Sequence, residues 1–253
     1  MKIDKKFKGL VNEGWRYRFD DDIETTESLE IDLDMGLFIT GSIEAGGFIK
    51  AGGSIEAGGS IEAGGSIEAG GFIKAGEFIE AGGFIKAGWS IEAGESIEAG
   101  GFIKAGESIE AGGSIKAGGS IEAGESIKAG GSIKAGGFIE AGEFIEAGGS
   151  IEAGGSIEAG ESIEAGGSYG VVAGLSITCK TTLSFGLRLF AGTCNWRDIN
   201  DEEKTVTCGK LLNGIIEYGI LVETGLEEEV ESDDKTEEAV ELLKSKGYKI
   251  IKE

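Results

Sequence analysis

A six-residue repeat occupies the chain from Gly41 to Gly166, with the unit Gly-(Gly/Glu)-(Ser/Phe)-Ile-(Glu/Lys)-Ala. Isoleucine returns at every sixth position from Ile43 to Ile163, which makes 21 copies, and an alanine follows two residues later each time. So strict a period constrains the fold more than any other feature of the sequence.

A period of six is typical of a short strand followed by a corner. An α-helix turns every 3.6 residues or so, and each glycine costs a helix up to about 1 kcal/mol. In a strand, Ile and Ala would point to one side, and Ser/Phe and Glu/Lys to the other. We therefore expect Ile and Ala to fill a narrow core and the charges to face water. The glycine after Ala should turn the corner with a positive φ, which glycine adopts freely.

Some outward residues recur at intervals of three units, or of a multiple of three units. They are Glu107, Glu125, Glu143 and Glu161; Glu77 and Glu95; and Phe48, Phe84, Phe102 and Phe138. This spacing predicts a mainly β fold, a three-sided parallel β-solenoid of about seven coils for the 21 units. At about 4.8 Å per coil the shaft would be roughly 34 Å long. A disordered Gly-rich linker is the rival, but it would not keep an aliphatic residue at fixed spacing.

The flanking sequences divide the chain into three predicted parts. Residues 1–40 are expected to cap one end, and residues 41–168 form the solenoid. Residues 169–253 should form a small α+β C-terminal module, with a helix over 236–246 and a strand over 248–251. Caps are expected because the open coils of a solenoid would otherwise recruit other chains.

The repeat resembles two families of triangular β-helices. The hexapeptide β-helices of acyltransferases share the period and the aliphatic position. They have a small residue two places before the aliphatic, where this chain has Gly, Glu or Trp, and they use a histidine base, whereas this chain has no histidine. The repeat also looks like the β-helix of bactofilins, polymer-forming bacterial cytoskeletal proteins, which are usually less regular. The resemblance covers about half the chain and implies the architecture alone.

Residue types argue against most enzyme classes. Without histidine there is no Ser-His or Cys-His relay and no imidazole ligand for a metal. Cys179, Cys194 and Cys208 lack C-x-x-C spacing and are expected to be reduced thiols. The repeat contains no Asp, which calcium-binding β-rolls need at their corners. Abundant glutamates leave a paired acid/base site open, but repeated outward Glu is more typical of a solubilising face. We therefore expect no catalytic residues, no metal and no cofactor.

The charge of the chain is strongly negative, at −23. In the repeat, 20 glutamates stand against seven lysines, a net charge of −13. Duplex DNA carries one charge per about 1.7 Å, or roughly 20 over the length of this shaft. The gross carboxylate count thus favours mimicry of nucleic acid. The alternative is that interspersed lysines simply relieve the repulsion between stacked glutamates.

Two outward sets are the candidate binding residues. The first is a set of corner glutamates, Glu77, Glu95, Glu107, Glu125, Glu143 and Glu161. The second is an aromatic face formed by Phe48, Phe84, Phe102 and Phe138, three of them beside Lys50, Lys86 and Lys104. Exposed aromatic residues next to charge are typical of a surface for a partner or for self-association, although stacked rings could also only shield the backbone.

The sequence therefore predicts a non-enzymatic, cytoplasmic binding protein. Its general design is similar to that of viral acidic DNA mimics, which block restriction or CRISPR enzymes. The expected partner is a basic nucleic-acid-binding protein such as a nuclease. The chain itself is expected to bind neither nucleic acid nor membrane directly, and a homo-oligomer is left open. The alternative is a structural, self-assembling rod of the bactofilin type.

Overall fold

The computed structural model describes residues 1–226, which form a three-sided β-solenoid. In the repeat, 21 three-residue strands each begin at Ile and end at Ala, one in every unit from Ile43–Ala45 to Ile163–Ala165. The strands before the repeat are Lys2–Asp4, Val11–Asn12, Arg16–Phe19, Ile23–Thr25, Leu29–Asp32 and Gly36–Ile39. Those after it are Val171–Ala173, Ile177–Cys179, Thr182–Ala191, Thr205–Cys208, Lys210–Tyr218 and Ile220–Glu223. A single 3-10 turn, Glu202–Lys204, is the one helical element among these residues.

Each repeat strand pairs in parallel with the strand three units later, as Ile61 does with Ile79 and Ile67 with Ile85. Three columns of strands result, and we call them faces A, B and C. In the repeat, face A holds the strands that begin at Ile49, Ile67, Ile85, Ile103, Ile121, Ile139 and Ile157. Face B holds those that begin at Ile43, Ile61, Ile79, Ile97, Ile115, Ile133 and Ile151. Face C holds those that begin at Ile55, Ile73, Ile91, Ile109, Ile127, Ile145 and Ile163.

The solenoid is longer than the repeat that predicts it. Face A is a 12-stranded sheet that runs from Lys2–Asp4 to Ile220–Glu223. Faces B and C form one 21-stranded sheet, because Thr182–Ala191 pairs both with Ile163–Ala165 of face C and with Val171–Ala173 of face B. The expectation of about seven coils is therefore wrong for the solenoid as a whole, because it counted only the 21 units of the repeat. There are about twelve, and at about 4.8 Å per coil the rod is roughly 58 Å long.

The strands outside the repeat join the same sheets as those inside it. Ile23–Thr25 pairs with the first strand of the repeat, and Ile177–Cys179 continues face A. The part of the predicted α+β module that lies within the described residues thus adds β-strands to the solenoid. The predicted helix over 236–246 and the strand over 248–251 lie outside the described residues.

The core is the narrow space between the three faces, as the alternation predicts. Every repeat isoleucine is at most 1% exposed, and every repeat alanine at most 7%. Beyond the repeat, Leu29, Leu37, Val171 and Leu189 fill the same inward positions. Since the interior is nearly the same in every coil, the outward residues are what distinguish one coil from another.

The corner glycines are required for a different reason from the one that the sequence suggests. Among residues 1–226, positive φ values occur at six glycines, and none of them lies in the repeat. Instead, a Cβ on the first glycine of a corner, such as Gly112, would come closer than 3.0 Å to the carbonyl oxygen of Gly94, one coil earlier. At the second corner position, a Cβ on Gly119 or Gly155 would meet nothing closer than 3.2 Å. At several other second positions, such as Gly71, the one atom closer than 3.0 Å is a serine hydroxyl oxygen, which can rotate away. This is why the second position accepts Glu and Trp89.

Within residues 1–226, no helix reaches the length and hydropathy that a membrane span would need.

Candidate functional site

Four predicted acidic residues lie on one edge of the rod, where face A meets face C. The backbone N–H of Glu125 donates to the carbonyl of Glu107 at 3.0 Å, Glu143 to Glu125 at 2.8 Å, and Glu161 to Glu143 at 2.6 Å. All four are exposed. We call Glu107, Glu125, Glu143 and Glu161 the corner ladder. At one residue per coil, its side chains follow one another at about 4.8 Å.

The other two predicted acidic residues lie on a different edge. Glu77 and Glu95 stack on each other, with the Glu95 N–H donating to the Glu77 carbonyl at 2.7 Å, but they precede strands of face B. Their edge is the one between faces C and B. The six glutamates that the sequence groups together are thus brought together as a set of four and a set of two.

Serine hydroxyls of the preceding coil hold several of these carboxylates in place. Ser90 donates to Glu107 at 3.1 Å, and Ser108 donates to Glu125 at 3.2 Å. Ser126 donates to Glu143 at 3.4 Å. Such hydrogen bonds leave the remaining carboxylate lone pairs free and restrict the side-chain rotamers. The ladder therefore presents its charges from partly fixed positions.

Further glutamates, which the sequence-based prediction omitted, surround the C-terminal half of the ladder. Glu140 and Glu158 lie on face A, and Glu146 and Glu164 lie on face C, all exposed. With Glu143 and Glu161 they form a surface that we call the acidic edge. Within residues 135–166 there are seven glutamates and no lysine or arginine. The sequence already indicated this surface. The four added glutamates belong to two series of residues, each spaced by three units, that lie on either side of the corner ladder.

Elsewhere on the rod, lysines pair with glutamates one coil away. Lys74 lies 2.8 Å from Glu92, and Lys134 lies 2.9 Å from Glu152. On the acidic edge, the one ion pair among the described residues joins Glu146 to Lys128 at 3.8 Å. Lysines that relieve the repulsion between stacked glutamates thus explain the charge pattern of much of the shaft, but not that of the acidic edge.

Face B carries a second acidic column, in which Glu24, Glu44, Glu62, Glu80 and Glu98 stack on one another without an intervening lysine. Burial, together with the charges of Glu44 and Glu80, raises the pKa of Glu62. Burial is the main cause of this shift, and the repulsion between stacked carboxylates adds to it.

The four predicted aromatic residues all lie on face A. Phe48 is 48% exposed, Phe102 39% and Phe138 38%. Phe84 and Phe102, in successive coils, stack with ring centroids 4.8 Å apart and an angle of 2° between the ring planes. Serines occupy the other coils of this column, and a small serine leaves a gap between the rings of the neighbouring coils, as Ser66 does between Phe48 and Phe84.

A second aromatic cluster, which no periodic signal in the sequence indicates, lies near the N-terminal end of face C. Trp15 is 67% exposed and Trp89 55% exposed, and with Phe72 they line one shallow hollow. Arg16 lies over the Trp15 ring at 4.3 Å from its centroid. Trp15 belongs to a hairpin outside the repeat, which is why the three-unit spacing does not find it.

No protein-family model, no curated protein and no solved structure matches this chain. Among residues 1–226, no group of three or more Cys, Asp or Glu side chains is placed to hold a metal ion. The acidic edge and the aromatic column of face A are the candidate binding surfaces.

Proposed function

We propose that this protein is a non-enzymatic acidic binding protein that occupies the nucleic-acid groove of a basic enzyme and blocks it. The observation that carries the proposal is the acidic edge, where carboxylates cluster almost without counter-charge. A rod with one densely negative edge presents a row of negative charges to a basic groove, as a phosphate backbone does.

The charge density of this region supports the proposal. Residues 135–166 span about 1.8 coils, or roughly 8.5 Å along the rod. Seven glutamates fall within that length, and six of them, all but Glu152 of face B, belong to the acidic edge. Duplex DNA would place about five phosphates in the same distance. The region is thus at least as negative per unit length as the ligand that it would replace.

The partner that fits this surface is a cytoplasmic DNA- or RNA-binding enzyme with an open groove lined by Lys and Arg, such as a restriction or CRISPR nuclease. Opposite charges steer the two proteins together, and binding releases counterions from both. Affinity should therefore fall steeply with ionic strength, and about 0.5 M salt should largely abolish binding.

The test compares two double variants that each remove two charges from corner positions. Glu143→Gln/Glu161→Gln changes the acidic edge, and Glu77→Gln/Glu95→Gln changes the other edge. Binding is measured against purified restriction and CRISPR nucleases, in competition with duplex DNA. We expect about a 10-fold loss of affinity for the first variant, or about 1.4 kcal/mol, and little change for the second.

Two results would reject the proposal. One is binding that is insensitive to salt, and the other is an equal effect of the two double variants. Failure to bind any basic nuclease in the panel would count in the same direction.

A second candidate function is a structural rod of the bactofilin type, and the ends of face A favour it. Among the described residues, Lys2–Asp4 pairs only with Leu29–Asp32, and Ile220–Glu223 pairs only with Thr205–Cys208. Unpaired strand edges are templates for another chain. Filaments seen by electron microscopy at low micromolar concentration would favour this function over inhibition.

A further inference from the structure

Along five successive coils of face A, the size of one outward side chain and the charge of another vary together. In the column that precedes each isoleucine, the residues are Phe48, Ser66, Phe84, Phe102 and Ser120. In the column two residues later, they are Lys50, Glu68, Lys86, Lys104 and Glu122. Each coil with a phenylalanine thus carries a lysine, and each coil with a serine carries a glutamate.

If the order of these five coils is reversed, Phe and Lys are replaced by Ser and Glu, or the other way round, in all four outer coils. If the segment meets a second copy that runs the opposite way, four of the five coils place Phe opposite Ser and Lys opposite Glu. Only the central coil, with Phe84 and Lys86, meets itself. A two-fold interface requires this property, because residue i contacts residue j and j contacts i.

The gaps have the right dimension for a ring from another copy. A hollow of about 320 Å³ lies at Ser66, between Phe48 and Phe84. These two rings are two coils apart, or roughly 9.6 Å. A ring inserted halfway would lie about 4.8 Å from each, within the range that aromatic pairs prefer. Phe84 and Phe102 already stack at that spacing, 4.8 Å.

The charges would also meet favourably on both sides of such an interface. Lys50 lies 3.7 Å from Glu68 in its own chain, and Lys104 pairs with Glu122 in the same way. In the reversed copy, Glu122 would face Lys50 and Lys104 would face Glu68. Each of these four charges would then have an opposite charge beside it and another across from it, which favours this register.

We propose that face A is the interface of an antiparallel homodimer whose two-fold axis passes through the coil of Phe84 and Lys86. Phe102 of one protomer fills the gap at Ser66 of its partner, and Phe48 fills the gap at Ser120. At the axis the two Phe84 rings meet without a gap between them, and the two Lys86 side chains are the one like-charged pair in these five coils. Both contacts offset part of the gain.

The outer coils extend the same arrangement, with Phe138 opposite Ser28. Glu140 there faces Glu30, and this like-charged pair limits the affinity. Glu140 and Glu158 of the acidic edge lie on face A, but the five coils from Phe48 to Ser120 contain no residue of the acidic edge. The dimer, which is argued from those five coils, therefore does not depend on the proposed function.

The first test measures association by sedimentation equilibrium for the full chain over a wide range of concentrations. Phe102→Ser removes the ring that fills the gap, and Ser66→Phe fills the gap from within the same chain. Each should weaken the dimer at least about 10-fold, since each change acts twice by symmetry. Combining them moves the ring by two coils and restores every Phe–Ser match, so the double variant should dimerise again.

Two controls separate this register from general stickiness. Phe78→Ser removes an aromatic residue of face B and should leave the dimer unchanged. Ser66→Phe adds an exposed ring, so association that was merely hydrophobic would become stronger. All variants keep residue types that the repeat already uses at this position, and circular dichroism checks that they fold.

The second test places the axis. In a Cys194→Ser background, Lys86→Cys should form a disulfide between protomers on mild oxidation, because the two thiols face each other. Lys104→Cys should not, since the two copies would lie about two coils apart. A monomer at all concentrations, an end-to-end polymer, failure of the combined variant to recover, or preferential cross-linking at position 104 would each overturn the proposal.

Discussion

The sharpest test of the fold compares alanine at two neighbouring glycines of one corner, Gly154 and Gly155. A Cβ at Gly154 would come closer than 3.0 Å to the carbonyl oxygen of Gly136, one coil earlier. A Cβ at Gly155 would meet no atom closer than 3.4 Å, which is ordinary contact. Neither glycine has a positive φ, so backbone strain does not distinguish them.

The expected cost follows from what would have to move. The corner is fixed by backbone hydrogen bonds from Gly154 to Ala135 at 3.0 Å and from Gly155 to Gly137 at 2.8 Å. The clash at Gly154 is with backbone, so relief requires the two coils to separate. Overpacking of this kind costs about 1–3 kcal/mol, and we expect Gly154→Ala at the upper end. Gly155→Ala should change the free energy of unfolding by less than about 0.5 kcal/mol, or stabilise by up to about 1 kcal/mol through the unfolded state.

Urea unfolding followed by far-ultraviolet circular dichroism would measure both variants. Because a solenoid can unfold in stages, fluorescence of Trp196, beside Gly174 in the next coil, serves as a local probe. Equal losses for the two variants would show that the corner glycines are not explained by the close approach of successive coils. A larger loss for Gly155→Ala would refute the account outright.

Two further predictions concern ionisable groups in the rod. Burial and two neighbouring carboxylates raise the pKa of Glu62, so its charged form is disfavoured in the folded state. Glu62→Gln should therefore stabilise the protein at neutral pH by about 0.2–1 kcal/mol. The gain should disappear in acid, when the wild-type carboxyl is protonated. Urea titrations at pH values above and below the pKa measure this, and a gain that persists in acid would contradict the reasoning. Burial also raises the pKa of Cys179 to about 12 and raises that of Cys208. Alkylation of the native protein followed by peptide mass spectrometry should find Cys194 modified first, and early labelling of Cys179 would contradict its burial.

The sequence predicted the inner geometry of the solenoid well, because one residue type recurs at one spacing. Pairing of Ile61 with Ile79 follows directly from the recurrence of outward residues at intervals of three units. The number of coils did not follow, because the coils outside the repeat contain insertions. Ile23 pairs with Ile43 and Ile151 with Val171, and each pair is separated by slightly more than three units. The period is therefore lost at both ends of the repeat even though the sheet continues.

The candidate site was predictable in part. The column containing Phe84 and Phe102 was assigned from spacing, and the structure places both residues on face A. The division of the acidic residues between two edges needed the order of the faces around the rod. Glu77 and Glu107 are separated by five units, which is not a multiple of three, so the same arithmetic separates them once three faces are fixed.

The distribution of charge among the three edges argues against glutamates that only keep the rod in solution. The second corner position follows the same glycine on all three edges. A Cβ at Gly53, Gly113 or Gly119, one on each edge, would meet no atom closer than 3.0 Å. In the repeat, the edge between faces A and C carries four glutamates there, the edge between C and B carries two, and the edge between B and A carries none. Repulsion along a stack would be smallest if these residues alternated among edges, but four of them occupy successive coils of one edge. Like charges stacked on one edge, while the same positions on the other edges carry fewer charges or none, are what the proposed binding to a basic partner requires.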